Sequence, residues 1–179
     1  YQELFKNSNE ALYKTANNIW TAERNYKMLN VNDIKNLETG FEVIHNVDVK
    51  PYYDIDATYE SRDEMQSNTL GLAIENIESI KKIYGNNCKI YKFISSGKKG
   101  DIYKNSFHFR VDNVGAYTEP LTIPHYDNID TSVYKKRDKQ QKIRLPYCKK
   151  SYDDRRILKR FEIIDEEIFI YDTILEATE

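Results

Sequence analysis

Two aspartates, Asp54 and Asp56, are separated by a single apolar residue in the segment PYYDIDATYE. Side chains alternate between the faces of a β-strand, so both carboxylates would project from one face while Ile55 points into a core. Hard divalent ions such as Mg²⁺ take oxygen ligands, commonly one or two carboxylates together with substrate phosphates. Acids are frequent on surface strands, but two aligned acids in an otherwise apolar, aromatic strand cost stability unless cations offset them. The pair therefore favours a metal site over an ordinary polar face.

The segment KNSFHFRV repeats this alternation with different chemistry. Lys104, Ser106 and His108 would share one face of a strand, while Phe107 and Phe109 point the other way. Taken alone, His108 between two aromatic residues is better explained as a structural histidine than as a ligand. An ammonium, a hydroxyl and an imidazole in a row, however, form a cradle suited to phosphate. If this strand lay beside the strand of the two aspartates, acids and phosphate-binding groups would share one polar surface.

A third acid, Asp130 in NIDTSVYKKR, can supply a further ligand from a separate segment. Two metal ions roughly 3.5–4 Å apart could then activate a hydroxyl nucleophile and stabilise a leaving pyrophosphate. Basic residues follow this acid in the chain: Arg137, Arg144, Lys149 and Lys150. Arg144 lies between Ile143 and Leu145, so on a strand it faces away from both and is predicted to point at a triphosphate.

The positions of these residues depend on the elements that carry them. Alternating and β-branched segments predict strands at 41–47, 52–59, 88–95 and 106–111. A helical spacing of apolar residues predicts a helix from Ser61 to about Tyr84, which the run Gly85-Asn86-Asn87 would end. The strand at 106–111 is expected to return as the hairpin partner of the strand at 88–95.

Predictions for the rest of the chain rest on weaker patterns. Apolar residues at helical spacing predict an amphipathic helix over 9–28. The segments 132–135 and 142–148 are predicted to pair as a hairpin across a charged loop. The segments 161–165 and 168–175 are compatible either with an edge hairpin or with a strand followed by a helix.

Length and composition exclude some classes of protein. The chain has 179 residues, of which 40% are hydrophobic and 31% charged, as expected for one globular, soluble domain. No apolar run approaches the roughly 20 residues that span a bilayer, and the first residues do not resemble a signal peptide. Two cysteines, Cys88 and Cys148, are too few for a zinc site alone and favour a reducing compartment. The chain starts without Met, which suggests a fragment of a longer protein.

The charge distribution is uneven although the formal net charge is only -2. Twelve Lys and Arg stand against three Asp in 135–160, whereas 161–179 holds seven acids and no Lys or Arg. A basic stretch with interleaved tyrosines suits phosphate and nucleic acid. The alternative is a solvated face whose basic residues pair with the acidic tail. Charge alone leaves both possibilities open.

The three motifs and their order resemble the archaeo-eukaryotic primase superfamily, in particular its primase-polymerases and the primase domains of large DNA virus primase-helicases. The shared motifs are DIDA at 54–57, SFH at 106–108 and IDTSVYKKR…IRLPYCKK within 129–150. The resemblance spans about residues 41–150. It implies an α+β fold with an RRM-like catalytic sheet, packed helices and a smaller N-terminal unit of helix and strand.

The resemblance also implies how the chain is organised. It predicts a single catalytic domain in which 1–40 form a helical N-terminal part, 41–150 the motif-bearing core and 151–179 an acidic C-terminal part. The implied activity is DNA-dependent nucleotidyl transfer, in which primers are made on single-stranded DNA from nucleoside triphosphates with Mg²⁺ or Mn²⁺. Further implications are a helicase domain or subunit as a partner, no membrane association, and an intracellular location at replication sites, in the cytoplasm or nucleus of an infected host if the source is viral.

Residue roles can be carried over from the family motifs. The resemblance makes Asp54, Asp56 and Asp130 metal ligands. The residues that it assigns to the incoming nucleotide are Ser106, His108, Arg144 and Lys150, with Arg137 and Lys149 as further candidates. Two features depart from the family: the loop between Val133 and Arg144 is longer than in primase-polymerases, and the Cys and His zinc module of many relatives is missing from the sequence.

Two other classes of protein remain open. A metal-dependent nuclease also uses clustered acids, but it needs a Glu-x-Lys or similar partner, which the sequence does not carry at the usual spacing. A non-catalytic, RRM-like nucleic-acid-binding module would keep the sheet and do no chemistry. Metal titration with a nucleoside triphosphate would distinguish this module from an enzyme.

Overall fold

A six-stranded antiparallel sheet occupies the centre of the fold, and one long helix covers one of its faces. The computed structural model describes residues 18–22, 26–30, 39–44, 49–134, 141–151, 153–154 and 156–178. The elements of this layer are β4 (Tyr52–Tyr59), α1 (Arg62–Tyr84), β5 (Lys89–Ile94), β6 (Gly97–Lys99), β7 (Ile102–Asp112), β9 (Lys159–Ile164) and β10 (Glu167–Ile170). The strand order is β10-β9-β5-β7-β4, with β6 paired to β7. The α+β class predicted from the sequence is confirmed.

Helix α1 has clear start and stop signals. Ser61 is its N-cap, and its side chain accepts a hydrogen bond from the Glu64 backbone N–H. The helix ends at Gly85, which adopts a φ of +88° and donates its backbone N–H to the Lys81 carbonyl. The predicted bounds of this helix are therefore confirmed almost to the residue.

The core lies between α1 and the sheet. Ile55, Phe107 and Phe109 are buried on the helix-bearing face, as the alternation in β4 and β7 requires. Asn105 continues this face: its Nδ2 donates to the Met65 carbonyl at 3.0 Å, and its Oδ1 accepts from the Thr69 hydroxyl. Because this face is committed to packing, the opposite face of β4 and β7 is left for polar side chains.

A second, four-stranded antiparallel sheet contains β1 (Asn18–Ala22), β2 (Tyr26–Asn30), β3 (Phe41–Ile44) and β8 (Gln141–Arg144), in the order β2-β1-β3-β8. The prediction of a helix over 9–28, and with it a helical N-terminal part over 1–40, is wrong for these strands; 1–17 lie outside the described residues. Ile19 pairs with Leu29, and Trp20 with Met28. Apolar residues that looked like one face of a helix are neighbours across two short strands, because strand pairing overrides a weak local helical pattern.

The predicted hairpin between 132–135 and 142–148 is also wrong. Thr131–Tyr134 form a turn of 3₁₀-helix, and β8 pairs with β3 instead. Tyr134 is buried, its ring packs 5.3 Å from that of Tyr52, and its hydroxyl donates to the Tyr52 carbonyl. The segment therefore turns into the core instead of extending as a strand.

The C-terminal part adds the remaining edge of the main sheet. Strands β9 and β10 form an antiparallel hairpin, and α2 (Ile174–Thr178) follows. The edge hairpin considered from the sequence is thus present, and β9 joins it to β5. Among the described residues, no helix is both long and apolar enough to cross a membrane.

A buried ion pair connects the two sheets. Arg110 of β7 and Glu42 of β3 are 3.0 Å apart, with side-chain exposures of 3% and 1%. A second guanidinium nitrogen of Arg110 donates to the Arg144 carbonyl of β8 at 3.5 Å. These contacts hold β3 and β8 against the polar face of the main sheet.

Candidate metal and phosphate site

The polar face of β4 and β7 carries the residues that the sequence singled out. The two strands pair antiparallel so that Asp54 lies opposite His108 and Asp56 lies opposite Ser106. Lys104 continues the row two residues beyond Ser106, opposite Thr58. The predicted arrangement, with acids on one strand and phosphate-binding groups on its neighbour, is therefore present in the structure.

Asp130 reaches this face from a separate loop. β4 is the edge strand of its sheet, and its Asp54 carbonyl accepts the backbone N–H of Asp130 at 2.9 Å. The Asp130 carboxylate accepts hydrogen bonds from the backbone N–H and hydroxyl of Ser132, at 3.0 and 2.5 Å. The buried Tyr134 anchors the same segment. Asp130 is thus fixed in position by its own loop.

The three aspartates converge on one point. Asp54, Asp56 and Asp130 each offer a carboxylate oxygen, and these oxygens all lie within 4.8 Å of one another. Asp54 and Asp130 are half-buried and Asp56 is exposed. The Oδ1 atom of Asp54 is buried, and Nε2 of His108 lies 3.3 Å from it. Three carboxylates that converge in this way, one of them with a buried oxygen, fit the oxygen coordination that Mg²⁺ and Mn²⁺ prefer.

The electrostatics of the site keep Asp54 ionised. Burial raises the pKa of this carboxyl, but the attraction of His108, followed by that of Lys104 and Arg144, outweighs burial and brings the pKa below its ordinary value. The carboxylate is therefore available as a metal ligand at neutral pH.

Ser106 and Lys104 both contact Asp56. The Ser106 hydroxyl donates to Oδ1 of Asp56 at 2.9 Å, and Nζ of Lys104 lies 3.3 Å from the same oxygen. Both groups would be released toward an anionic ligand if a cation took over Asp56. The Asp56 carboxylate is thus neutralised within the protein by this row of side chains.

His108 is buried, and its contact in the structure is with an acid. Its Nε2 lies 3.3 Å from Oδ1 of Asp54, whereas its Nδ1 has no hydrogen-bond partner in the described part of the chain. The imidazole therefore sits against the metal-binding candidate rather than on the open surface.

Arg144 approaches the same face from β8. It is buried, and its Nη1 donates to the Ser95 hydroxyl at 3.0 Å and to the Arg156 carbonyl at 3.1 Å. Burial lowers the pKa of Arg144 and the neighbouring Arg156 adds to this, while Asp154, Asp54 and Asp56 oppose the shift. Its charge thus acts on the two aspartates, although these two hydrogen bonds go to the residue after β5 and to the segment before β9.

The remaining predicted residues are more dispersed. Lys150 lines a hollow of about 560 Å³ together with Lys98 and Lys99 of β6. Lys149 forms isolated bridges with Thr39 and Ile157. Arg137 lies outside the described residues.

Sequence reasoning did not single out Ser95, Asp154 or Arg156. Arg156 is buried, and its Nε and Nη2 donate side-on to the two carboxylate oxygens of Asp154 at 3.0 and 2.7 Å. The only sequence signal is the run DDRR at 153–156. In the sequence this run is indistinguishable from the rest of the basic stretch.

The Asp154–Arg156 pair predicts a specific acid sensitivity. The hydrogen bond from Arg156 lowers the pKa of Asp154 from 3.8 to about 2. A depressed carboxyl pKa contributes stability above the ordinary value, and this contribution is lost as the pH falls through about 2. We therefore expect Asp154→Asn to be less stable than wild type at neutral pH, with the difference shrinking as the pH falls from about 4 to about 2. Urea unfolding across this range measures it, and a difference independent of pH would contradict the assignment.

No protein-family model, curated protein or solved structure matches this chain. The functional proposal below therefore rests on the fold, the site geometry and the motif resemblance.

Proposed function

We propose that this chain is the catalytic unit of a primase or primase-polymerase, a nucleotidyltransferase that makes primers on single-stranded DNA from nucleoside triphosphates. The observation that carries the proposal is the convergence of Asp54, Asp56 and Asp130 beside Ser106 and His108. These residues come from three separate segments whose motifs resemble the archaeo-eukaryotic primase superfamily in type and order. The connection β4-α1-β5-β7, with β7 between β4 and β5, supports the finer proposal of an RRM-like catalytic sheet.

Mg²⁺ or Mn²⁺ would be held by the three aspartates. Bound there, such an ion supplies charge neutralisation for a transferring phosphoryl group and lowers the pKa of an attacking hydroxyl. The backbone holds the three carboxylates in place: β4 fixes those of Asp54 and Asp56, and the Asp130 loop fixes the third. Rigid positioning of this kind is the main contribution that a protein makes to phosphoryl transfer.

The cationic and hydroxyl groups have a second role in this proposal. Lys104 and Ser106, released from Asp56, would turn to the phosphates of the incoming nucleotide. His108 would orient Asp54 and donate a hydrogen bond from Nε2 to a phosphate oxygen of the nucleotide. Arg144 would add a fixed positive charge from the other sheet, and Lys150 would act at the outer end of the triphosphate.

Primer synthesis on single-stranded DNA tests this proposal. The protein is incubated with a labelled nucleotide, an unlabelled nucleotide mixture and Mn²⁺ or Mg²⁺, and labelled products are separated by length. We expect metal-dependent products with wild type. Cleavage of the DNA strand would indicate the nuclease instead, and DNA binding with neither reaction in any metal would indicate the non-catalytic module.

His108 is expected to affect the nucleotide more than the template. His108→Gln removes a group next to Asp54 and the phosphates, so the nucleotide KM should rise about tenfold while DNA affinity stays within about twofold. Steady-state extension kinetics and fluorescence anisotropy measure the two quantities. His125→Gln is the control, because this histidine is exposed and lies outside the aspartate cluster, with its ring 4.4 Å from that of Tyr134. An unchanged KM with a collapsed melting temperature would return His108 to a purely structural role.

A further inference from the structure

A cavity of about 600 Å³ lies beside the bend between β5 and β6, and none of the three site aspartates lines it. Its wall includes Ile94 and Lys159, which pair with each other across β5 and β9. Ile94 also pairs with Phe107, so by register both belong to the helix-bearing face of the sheet. Asp54 and Asp56 project from the opposite face. The cavity therefore does not include the aspartates, although it adjoins their face of the sheet through Ser95, which accepts a hydrogen bond from Arg144.

The cavity wall carries more basic than acidic residues. Its basic residues are Arg62, Lys98, Arg156 and Lys159, and its one acid is Asp172. Asp172 lies 3.4 Å from Nζ of Lys159, and Asp154 pairs with Arg156, so the excess positive charge comes from Arg62 and Lys98. Like charges around one concave surface favour a bound anion.

Arg156 supplies the most specific feature. Its side chain is 7% exposed, and Asp154 occupies Nε and Nη2, which fixes the plane of the guanidinium. The third nitrogen, Nη1, is buried and has no hydrogen-bond partner among the residues that the structure describes. A buried cationic donor without an acceptor is costly, and an anion in the cavity would relieve the cost.

Gly97 lies against the side chain of Arg156. A Cβ at this position would meet Cγ and Cδ of Arg156 at 3.4 and 3.6 Å, and the φ of +154° disfavours other residues. Two hydroxyls complete the wall. Ser95 already accepts a hydrogen bond from Arg144, and Ser96 accepts one from the Ser106 backbone N–H. Each hydroxyl still has its own proton to donate to a ligand.

We propose that this cavity is a second phosphate-binding site, separate from the three aspartates. Buried Arg156, two serine hydroxyls and the flanking Arg62 and Lys159 match the acceptor oxygens of a phosphate group. The phosphate can come from a polyphosphate such as a free nucleotide, or from the backbone of a single DNA strand. The proposal does not rest on catalysis, because it requires only binding.

The test uses two variants that remove two positive charges each. Arg62→Met, Lys159→Met changes residues of the cavity alone, whereas Lys81→Met, Lys82→Met changes two exposed residues near the far end of α1. Two probes are titrated in EDTA: inorganic triphosphate by calorimetry, and labelled oligo-dT by anisotropy across a salt series. EDTA removes the divalent metal that the aspartate site would need, so binding under these conditions reports on the cavity. Failure of the cavity proposal can therefore be distinguished from failure of the aspartate site.

The two sources of phosphate give different results. If the cavity takes a polyphosphate, the cavity variant should raise the triphosphate Kd about tenfold. If it takes a DNA strand, the log–log salt slope should flatten by about 1.4 units for the two lost contacts. The control variant should change neither. Wild-type values for both probes in the cavity variant would overturn the proposal.

Arg156→Lys gives an independent check. A lysine keeps the charge but cannot hold Asp154 side-on and also present a free nitrogen to the cavity. We expect it to weaken the same probe that the cavity double variant weakens. Because Arg156 is buried, the melting temperature of the Arg156→Lys variant is measured alongside. If this variant does not fold, the Arg62→Met, Lys159→Met variant still tests the proposal.

Discussion

Replacing Asp54 and Asp56 together by alanine is expected to abolish primer synthesis and leave the fold intact. Both carboxylates project from one face of β4 and contribute no side chain to the apolar core. Loss of the groups that hold the metal should lower the rate by at least about 10³-fold. Primer synthesis and a thermal melt, run on the same preparation, measure the two effects.

The matched control removes two other acids. Asp101 and Asp127 are exposed and lie in turns outside the site, so Asp101→Ala, Asp127→Ala makes the same change in net charge. It should retain activity within about twofold, as surface substitutions away from a site usually do. Wild-type activity in the Asp54→Ala, Asp56→Ala variant would refute the metal assignment.

Loss of the buried carboxylate at Glu42 is expected to have the largest effect on stability. Glu42→Ala would leave Arg110 inside the protein without its ion-pair partner. Burial lowers the pKa of Arg110, and Glu42 is the main group that opposes this shift. Removing one partner of such a pair typically costs about 3–5 kcal/mol. Urea unfolding of wild type and variant gives the difference in free energy of unfolding.

Two comparisons separate burial from charge in this experiment. Asp172→Ala removes one partner of a more exposed pair with Lys159, and should cost no more than about 1 kcal/mol. The double variant Glu42→Leu, Arg110→Met removes both buried charges and should recover much of the loss. Equal losses for Glu42→Ala and Asp172→Ala would contradict the view that this pair holds the two sheets together.

Local patterns predicted the elements of the main sheet well. β4 occupies the predicted 52–59, and α1 begins and ends at its predicted cap and glycine. The alternation in DIDA and SFH fixes which side chains share a face, because period two is a property of any strand. The pairing of Asp54 with His108 was therefore within reach of the sequence once the two strands were placed side by side.

The second sheet could not be predicted in the same way. Its strands are four or five residues long and pair across large separations in the chain, as β3 does with β8. Short segments carry little periodicity, so Ile19 and Trp20 looked helical, although they pair with Leu29 and Met28 of the next strand. The prediction of a strand at Tyr134 was wrong for a related reason, because a buried hydrogen bond to Tyr52 leaves no pattern in the sequence.

The candidate site shows the same division. The three aspartates were found from motifs, but Arg156 is held by Asp154 and packs against Gly97. Such contacts are visible only when the segment before β9 and the bend after β5 are placed together. The order of the motifs thus identified the polar face with the aspartates, whereas the position of Arg156 became visible only from the packing of the structure.

Binding of Mn²⁺ tests the central claim most directly, since the claim is that three carboxylates from two segments share one cation. Free Mn²⁺ is followed by electron paramagnetic resonance in the presence of a nucleoside triphosphate, with wild type, Asp130→Asn and the control Asp127→Asn. Asp127 is an exposed acid of the same loop, so the control makes an identical chemical change outside the cluster. We predict that Asp130→Asn weakens protein-dependent Mn²⁺ binding about tenfold or more, as expected for loss of a charged ligand, while the control matches wild type. Equal binding by wild type and Asp130→Asn would contradict the account.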